Sequence, residues 1–231
     1  MTRAPYVMSK SGRPFGRDVE LFDTSLGWRF VNPRLRDAYG VDSMGQTAEN
    51  VAERIGIART EQDLYACRSQ QKAATAREAG RFAREIVAVD APAGRKGTVR
   101  VEQDEFLRPD TTLEGLAKLR PAFRTDGQGS VTAGNASGLN DGACALLIAS
   151  EAACRAMNAE PLARILTTAV AGVEPRVMGL GPVPATRKAL AQAGLTLDDL
   201  DVMEFNEAFA AQVLGCLREL GVPDDDARVN P

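Results

Sequence analysis

The sequence contains no histidine, and this absence narrows the chemistry that its 231 residues can perform. Histidine is the commonest general base and the commonest protein ligand of metal ions. Without it, neither a serine–histidine nor a cysteine–histidine pair can form within the chain. Any catalysis must therefore use other groups of the chain or a histidine from elsewhere.

Cysteine is scarce too, with four widely separated residues at Cys67, Cys144, Cys154 and Cys216. No C-x-x-C pair occurs, which argues against a zinc site and against a disulfide framework. Cys144 lies in an apolar run and is predicted to be a packed core thiol. The other three lie in predicted helices with no basic pattern that would activate them. We predict that all four are structural and that the chain binds no metal.

Long apolar runs and a strong net charge are also missing. No stretch approaches the ~18 apolar residues of a membrane span. The first residues, MTRAPYVMSKSGRPFGRD, lack the apolar centre of a secretory signal. A formal charge of −3 gives no electrostatic reason to expect nucleic acid. The sequence therefore predicts a cytoplasmic protein with neither a membrane nor a nucleic-acid partner.

Helical patterns dominate the first 130 residues, after an irregular start. A short helix is predicted over Thr47 to Ile57 with Thr47 as its N-cap, and a longer one over Glu61 to Glu78 after Thr60. Arg84 to Val89 predicts a strand, and Thr111 to Leu119 a capped helical turn.

From about Ser130 onward, apolar strand patterns alternate with helix patterns. The run ACALLIA is typical of a strand buried on both faces, and such alternation predicts an α/β protein with a mostly parallel sheet covered by helices. The later elements are a helix capped by Ser150 and ending near Met157, an apolar stretch over Leu162 to Val173, a helix from Pro184 to Gly194, and a last helix over Glu207 to Leu220.

Two stretches could carry function. GNASGLNDGA, residues 134–143, is a loop whose backbone can approach a ligand closely, although a simple glycine-rich turn explains the same composition. Asn206 follows a predicted strand at Asp201 to Phe205. It is either an N-cap of the last helix or an amide that orders a water at the carboxyl edge of the sheet.

Together, these words resemble the thiolase family. VTAGNASGLNDGA is preceded by KLRPAF and followed about sixty residues later by NEAFA, while GWRFVNP and SMGQTAENVAE stand earlier in the chain. The match covers essentially the whole chain, and the opening TRAPYVMSK resembles the loop-domain segment of the 3-oxoadipyl-CoA thiolase and acetyl-CoA acyltransferase branch. Many thiolases carry a histidine where this chain has Ser43.

The resemblance implies a thiolase-like α/β fold with a coenzyme A-binding loop domain and incomplete αβ sheet domains. It assigns residues 1–137 to part of the loop domain, residues 138–160 to the returning end of the N-terminal domain, and residues 161–231 to the first half of the C-terminal domain. We expect the sequence to be truncated at both ends.

It also implies acyl transfer: cleavage of a 3-oxoacyl-CoA by a second coenzyme A, or the reverse Claisen condensation, in fatty-acid or aromatic-acid degradation. Coenzyme A and acyl-CoA would be substrates, and no prosthetic group is implied. Asn206 would hold the water of an oxyanion hole. The matching coenzyme A contacts are Leu35, Met44, Arg108, Phe123, Ala133, Ser137, Gly138, Ala208 and Phe209.

The family's catalytic groups have no match here. Its nucleophilic cysteine is expected ahead of Met1, and its GHP histidine and base cysteine beyond Pro231. The chain alone is therefore predicted not to be catalytically competent. The alternative is a non-catalytic coenzyme A-binding or partner subunit that pairs with an intact thiolase. Family members assemble into homo-oligomers, so other thiolase protomers are expected partners.

Overall fold

The computed structural model describes residues 3–230, with every side chain in that range except that of Lys96. The α-helices of this range are α1 (Pro33–Tyr39), α2 (Met44–Ile55), α3 (Arg59–Glu78), α4 (Leu113–Ala117), α5 (Glu151–Met157), α6 (Pro182–Ala193) and α7 (Ala210–Leu220). The strands are β1 (Tyr6–Met8), β2 (Leu21–Asp23), β3 (Val89–Pro92), β4 (Thr98–Val101), β5 (Met203–Glu204) and β6 (Val229–Asn230). Short 3-10 helices cover Arg81–Arg84, Gly94–Lys96, Pro175–Leu180 and Leu197–Asp199.

Several helix ends follow from local side-chain chemistry. Ser150 accepts a hydrogen bond from the backbone N–H of Ala153 at 3.2 Å, so the predicted cap of α5 is confirmed. Thr112 caps α4 in the same way through Gly115. α7 ends at Gly221, whose φ of 77° is a left-handed conformation that glycine adopts without strain.

Two predicted caps are wrong. α2 begins at Met44, so Thr47 lies inside the helix and its hydroxyl donates to the Met44 carbonyl at 2.7 Å. α3 begins at Arg59, where the Ala58 backbone N–H donates to the Glu61 carboxylate at 2.6 Å, and Thr60 is therefore an interior residue. Threonine is found at both kinds of position because its hydroxyl can bond backbone groups at a helix start and, less favourably, within a helix.

The chain forms two compact units. The first contains residues 3–43 and Leu139–Leu200, with β1 paired antiparallel to β2 and the helices α1, α5 and α6. Its hydrophobic core is small, because Val177 and Val183 are its buried apolar residues in the described chain.

Predicted strands over ACALLIA and Leu162 to Val173 are wrong, because these stretches of the first unit have no regular secondary structure. Their apolar side chains are exposed: Leu147 is 82% exposed and Leu166 is 70% exposed. A strand needs a neighbour for its backbone N–H and C=O groups, and no described strand lies beside either stretch. The predicted core position of Cys144 is wrong for the same reason, since this thiol is exposed.

The second unit contains Met44–Gly138 and residues 201–230, and its core is built around α7. Helices α2 and α3 both pack against α7, whose Val213, Leu214 and Leu217 are at most 1% exposed. β5 pairs with β6 in parallel, and β3 pairs with β4 as an antiparallel hairpin. The predicted strand over Arg84 to Val89 is wrong, since Arg81–Arg84 is a 3-10 helix and the strand begins at Val89.

The sheet architecture of the described residues is three two-stranded pairs, and β5–β6 is the parallel one. It therefore differs from the mostly parallel sheet that the alternating pattern predicts. The assignment of residues 1–137, 138–160 and 161–231 to parts of three domains stays a prediction.

Asp226 gives the second unit a testable acid dependence. The guanidinium of Arg228 and the Arg228 backbone N–H both donate to its carboxylate, and these bonds lower the pKa of Asp226 to about 2. A depressed pKa stabilises the fold above the unfolded value of about 3.9, and this stabilisation is lost as the pH falls towards about 2. We expect Asp226→Asn to lower stability near neutral pH, and the difference from the natural chain to shrink below about pH 4. Urea denaturation over a pH series measures it, and a pH-independent difference would contradict the assignment.

Candidate functional site

The loop over residues 130–138 alternates between anchored and exposed residues. Val131 and Thr132 are fully buried and Asn135 is 3% exposed. Ala133 and Ser137 are exposed. The buried residues hold the loop in the second unit, and the exposed ones face outward, where a ligand can reach them.

This loop pairs with the segment before α7. The backbone N–H of Ser137 donates to the Ala208 carbonyl at 3.0 Å, and the backbone N–H of Ala210 donates to the Asn135 carbonyl at 2.9 Å. Ala136 and Phe209 form an isolated antiparallel bridge between these two bonds. The structure therefore brings together Ser137, Ala208 and Phe209, which the sequence predicted as parts of one site.

Two aromatic rings extend this surface. Phe123 and Phe209 meet edge to face, with ring centroids 6.2 Å apart and planes at 83°. Such pairs contribute about 0.5–1.5 kcal/mol beyond simple burial. Phe123 also lies against Gly45 at the start of α2, directly after the half-exposed Met44. The ring of Phe123 thus contacts Phe209 and also the residue that follows Met44.

Arg108 and Gly138 meet the same side chain, Phe106. The Arg108 guanidinium carbon lies 5.5 Å from the centroid of the Phe106 ring, a cation–π distance. A guanidinium N–H of Arg108 donates to the Glu105 carbonyl at 2.8 Å. The Phe106 ring lies so close to Gly138 that a Cβ there would be 2.0 Å from its Cζ atom. Arg108 is exposed, so its charge is available to an anion.

Asn206 lies in the irregular segment between β5 and α7. It is exposed, and its backbone carbonyl accepts the Ala208 N–H at 3.0 Å. Helix α7 begins at Ala210, three residues after the predicted start, and Phe209 occupies the N-cap position. The N-cap alternative for Asn206 is therefore wrong, and the role of its amide stays a prediction.

Family models for the thiolase N-terminal domain and the thiolase C-terminal domain match residues 1–152 and 159–231 of this sequence. The chain belongs to the thiolase family. This confirms the resemblance seen in the sequence.

Curated members of the family are similar over the full length of this chain. It is 57% identical to the 3-oxoadipyl-CoA/3-oxo-5,6-dehydrosuberyl-CoA thiolase of Escherichia coli K12 over 232 residues, 100% of this chain and 57% of that protein. A β-ketoadipyl-CoA thiolase of Acinetobacter baylyi is 55% identical with the same coverage. The chain thus spans about 57% of the length of these relatives.

Solved thiolase-family structures share the fold of this chain. The crystal structure of the Bacillus anthracis acetyl-CoA acetyltransferase matches with a TM-score of 0.84 at 44% identity, covering 98% of this chain and 55% of that one. Human mitochondrial 3-ketoacyl-CoA thiolase matches with a TM-score of 0.84 at 42% identity, covering 99% and 55%. The predicted thiolase-like fold class is confirmed.

The sequence reasoning assigned no role to Glu207, a half-buried acidic residue beside Asn206. One oxygen of Glu207 accepts a hydrogen bond from the Ser69 hydroxyl of α3 at 2.7 Å. Burial, followed by the negative charge of Glu207, raises the pKa of Tyr65 well above its ordinary value. The sequence did contain a signal for Glu207, because this residue lies in the NEAFA motif between two predicted site residues.

Leu35 and three of the cysteines complete the set of residues that the sequence singled out. Leu35 belongs to the first unit, on α1, and is 38% exposed. Cys67 and Cys216 are buried in α3 and α7, and burial raises the pKa of Cys216 to about 11, which disfavours the reactive thiolate. Cys154 lies in α5 and is half-buried.

Across residues 3–230, the structure contains no helix with the length and apolar character to cross a membrane.

Proposed function

We propose that this chain binds coenzyme A and acyl-CoA and contributes to thiolase-type acyl transfer on 3-oxoacyl-CoA substrates. The observation that carries the proposal is the pairing of Ser137, Ala208 and Phe209 with the ring of Phe123 beside them. These residues stand in the family motifs of the sequence, and they adjoin one another in the second compact unit. The names of the relatives favour 3-oxoadipyl-CoA and similar degradation intermediates as substrates.

Each residue type suits one part of coenzyme A. Phe123, Phe209 and Met44 offer apolar walls for the pantetheine arm. Ser137 is an exposed hydroxyl that can bond the pantetheine amides, and Gly138 leaves room beside it. Arg108 can pair with a phosphate or stack on the adenine. Further contacts are proposed for Leu35, Ala133 and Ala208.

Catalysis is proposed to require groups beyond these 231 residues. Asn206 is proposed to orient a water towards the thioester oxygen, but no histidine is present to complete such an oxyanion hole. Losing a single oxyanion donor lowers turnover by about 10²–10³-fold. Losing the nucleophile and the base as well removes the covalent route itself.

Homo-oligomeric assembly and a cytoplasmic location remain predictions. The alternative function, a non-catalytic subunit that pairs with an intact thiolase, gains no support from the relatives named above, because all of them are named as enzymes.

Titration calorimetry with coenzyme A tests the proposal. We expect saturable binding to the 231-residue chain, and no coenzyme A-dependent cleavage of acetoacetyl-CoA by it. Phe209→Ala removes the ring that meets Phe123, and we expect about tenfold weaker binding. Phe15→Ala is the matched control, because Phe15 is fully exposed and lies in the first unit.

Absence of binding heat from a folded chain would overturn the binding proposal. Measurable thiolysis by the purified chain would overturn the expectation that it is incompetent alone. The adenine end can be tested separately with 3′-dephospho-coenzyme A. If Arg108 contacts the 3′-phosphate, Arg108→Ala weakens coenzyme A binding more than dephospho-coenzyme A binding.

A further inference from the structure

A chain of buried polar groups lies directly behind the ligand-facing loop. The side-chain amide of Asn135 donates to the Asp63 carboxylate at 2.9 Å and to the Ser130 carbonyl at 3.1 Å, while its oxygen accepts the Thr132 N–H at 2.8 Å. Asn135 is 3% exposed and Asp63 is 5% exposed. The three bonds fix both ends of the amide, so the orientation of this side chain is determined.

Asp63 is itself held in place. Its second oxygen accepts a hydrogen bond from the Arg59 Nε at 2.8 Å, one turn earlier on α3. The Arg59 guanidinium also donates to the carbonyls of Leu116 and Leu119 at 2.7 and 3.1 Å. The Asp63 carboxylate is therefore a fixed point in α3, to which Asn135 ties the loop.

The backbone of Asn135 extends this connection to the site. Its carbonyl accepts the Ala210 N–H, and two residues later Ser137 donates to Ala208. These two bonds set the register in which Ala136 faces Phe209. A shift of Asn135 would therefore move Ser137 relative to Phe209, although Asn135 is too buried to contact a ligand.

We propose that Asn135 is a positioning residue that acts through Asp63 and holds the exposed residues of the loop in the geometry that binds coenzyme A. This inference rests on the proposed function. A purely structural role predicts that affinity follows global stability. A positioning role predicts that affinity changes in a chain that remains folded.

The decisive variant is Asn135→Asp, which places a second carboxylate against that of Asp63. The charged groups around it are Asp63, Arg59 behind Asp63, and Glu49, which binds Ser130. Two adjacent carboxylates cannot both remain ionised without cost, and at acidic pH they share a proton that restores a hydrogen bond. We expect coenzyme A affinity to fall about tenfold or more near pH 8 and to recover in part near pH 5, relative to the natural chain at each pH.

Two further variants complete the test. Asp63→Asn combined with Asn135→Asp exchanges the amide and the carboxylate, and should recover part of the affinity at pH 8. Gln128→Glu is the control, because Gln128 is exposed, its side chain is outside the network, and the change adds a carboxylate as Asn135→Asp does. Thermal unfolding and amide exchange at Ser137 and Ala210 are measured on each variant, with faster local exchange expected for Asn135→Asp.

The outcomes separate the two proposals. If the natural chain does not bind coenzyme A, the proposed function fails and the positioning role fails with it. If the natural chain binds and folded Asn135→Asp binds equally well at pH 8, the positioning role alone fails. The positioning role also fails if coenzyme A affinity stays low for folded Asn135→Asp at pH 5 and for the folded double variant Asp63→Asn with Asn135→Asp. Recovery in either, with restored amide protection, supports it.

Discussion

Replacing Glu49 by alanine is expected to lower the free energy of unfolding by about 3–5 kcal/mol. Glu49 is 2% exposed in α2, and its carboxylate accepts the Ser130 N–H at 2.9 and 3.0 Å, the Ser130 hydroxyl at 2.7 Å and the Val131 N–H at 2.9 Å. Alanine leaves the buried N–H of Val131 and the half-buried N–H and hydroxyl of Ser130 without this acceptor, and an unsatisfied buried donor costs about 1–3 kcal/mol. Urea denaturation followed by circular dichroism measures the loss.

Two further variants identify the cause. Glu49→Gln keeps one acceptor oxygen but turns an NH2 group towards donors, so we expect an intermediate loss. Glu53→Gln is the matched control on the same helix, because its side chain is 71% exposed and pairs with Arg124 at the surface. Exposed ion pairs contribute at most about 1 kcal/mol. Equal effects at Glu49 and Glu53 would contradict the role assigned to the buried carboxylate.

Helices were predictable from the sequence because their determinants are local. The cap at Ser150 and the glycine stop at Gly221 each depend on residues within one turn. Strands depend on distant partners. The run ACALLIA has the composition of a buried strand, yet Leu147 and its neighbours are exposed and have no described strand beside them. Composition records what a segment can bury, but not whether a neighbour is available to bury it.

The site was predictable from motifs only where residues face outward. Phe123, Ser137 and Phe209 were found because they stand in family words, and the structure brings them together. Glu49 and Asn135 are buried and hydrogen-bond the loop over residues 130–138. The sequence did not predict them, because polar residues are usually exposed. Glu49 did carry a signal, since it lies one helical turn before Ala52 on the apolar face of α2.

Gly45→Ala is expected to disrupt the aromatic surface of the site. A Cβ on Gly45 would lie 2.2 Å from Cγ and Cδ1 of Phe123, and the ring must move as a whole because these atoms are near its attachment. Overpacking of this kind costs about 1–3 kcal/mol. Displacing Phe123 also breaks its contact with Phe209, so we expect coenzyme A affinity to fall about 10- to 100-fold. Calorimetry and urea denaturation measure the two effects.

A double variant separates the clash from the loss of the wall. In Gly45→Ala with Phe123→Ala, the added methyl group no longer meets the ring, so the stability losses of the single variants should not add. Affinity should remain low in the double variant, because the ring that lines the site is gone. Gly172→Ala is the control, since a Cβ there meets nothing within 4 Å. A folded Gly45→Ala chain that binds coenzyme A with natural affinity would show that Phe123 is no part of the binding surface, because its ring cannot keep its place beside the new side chain.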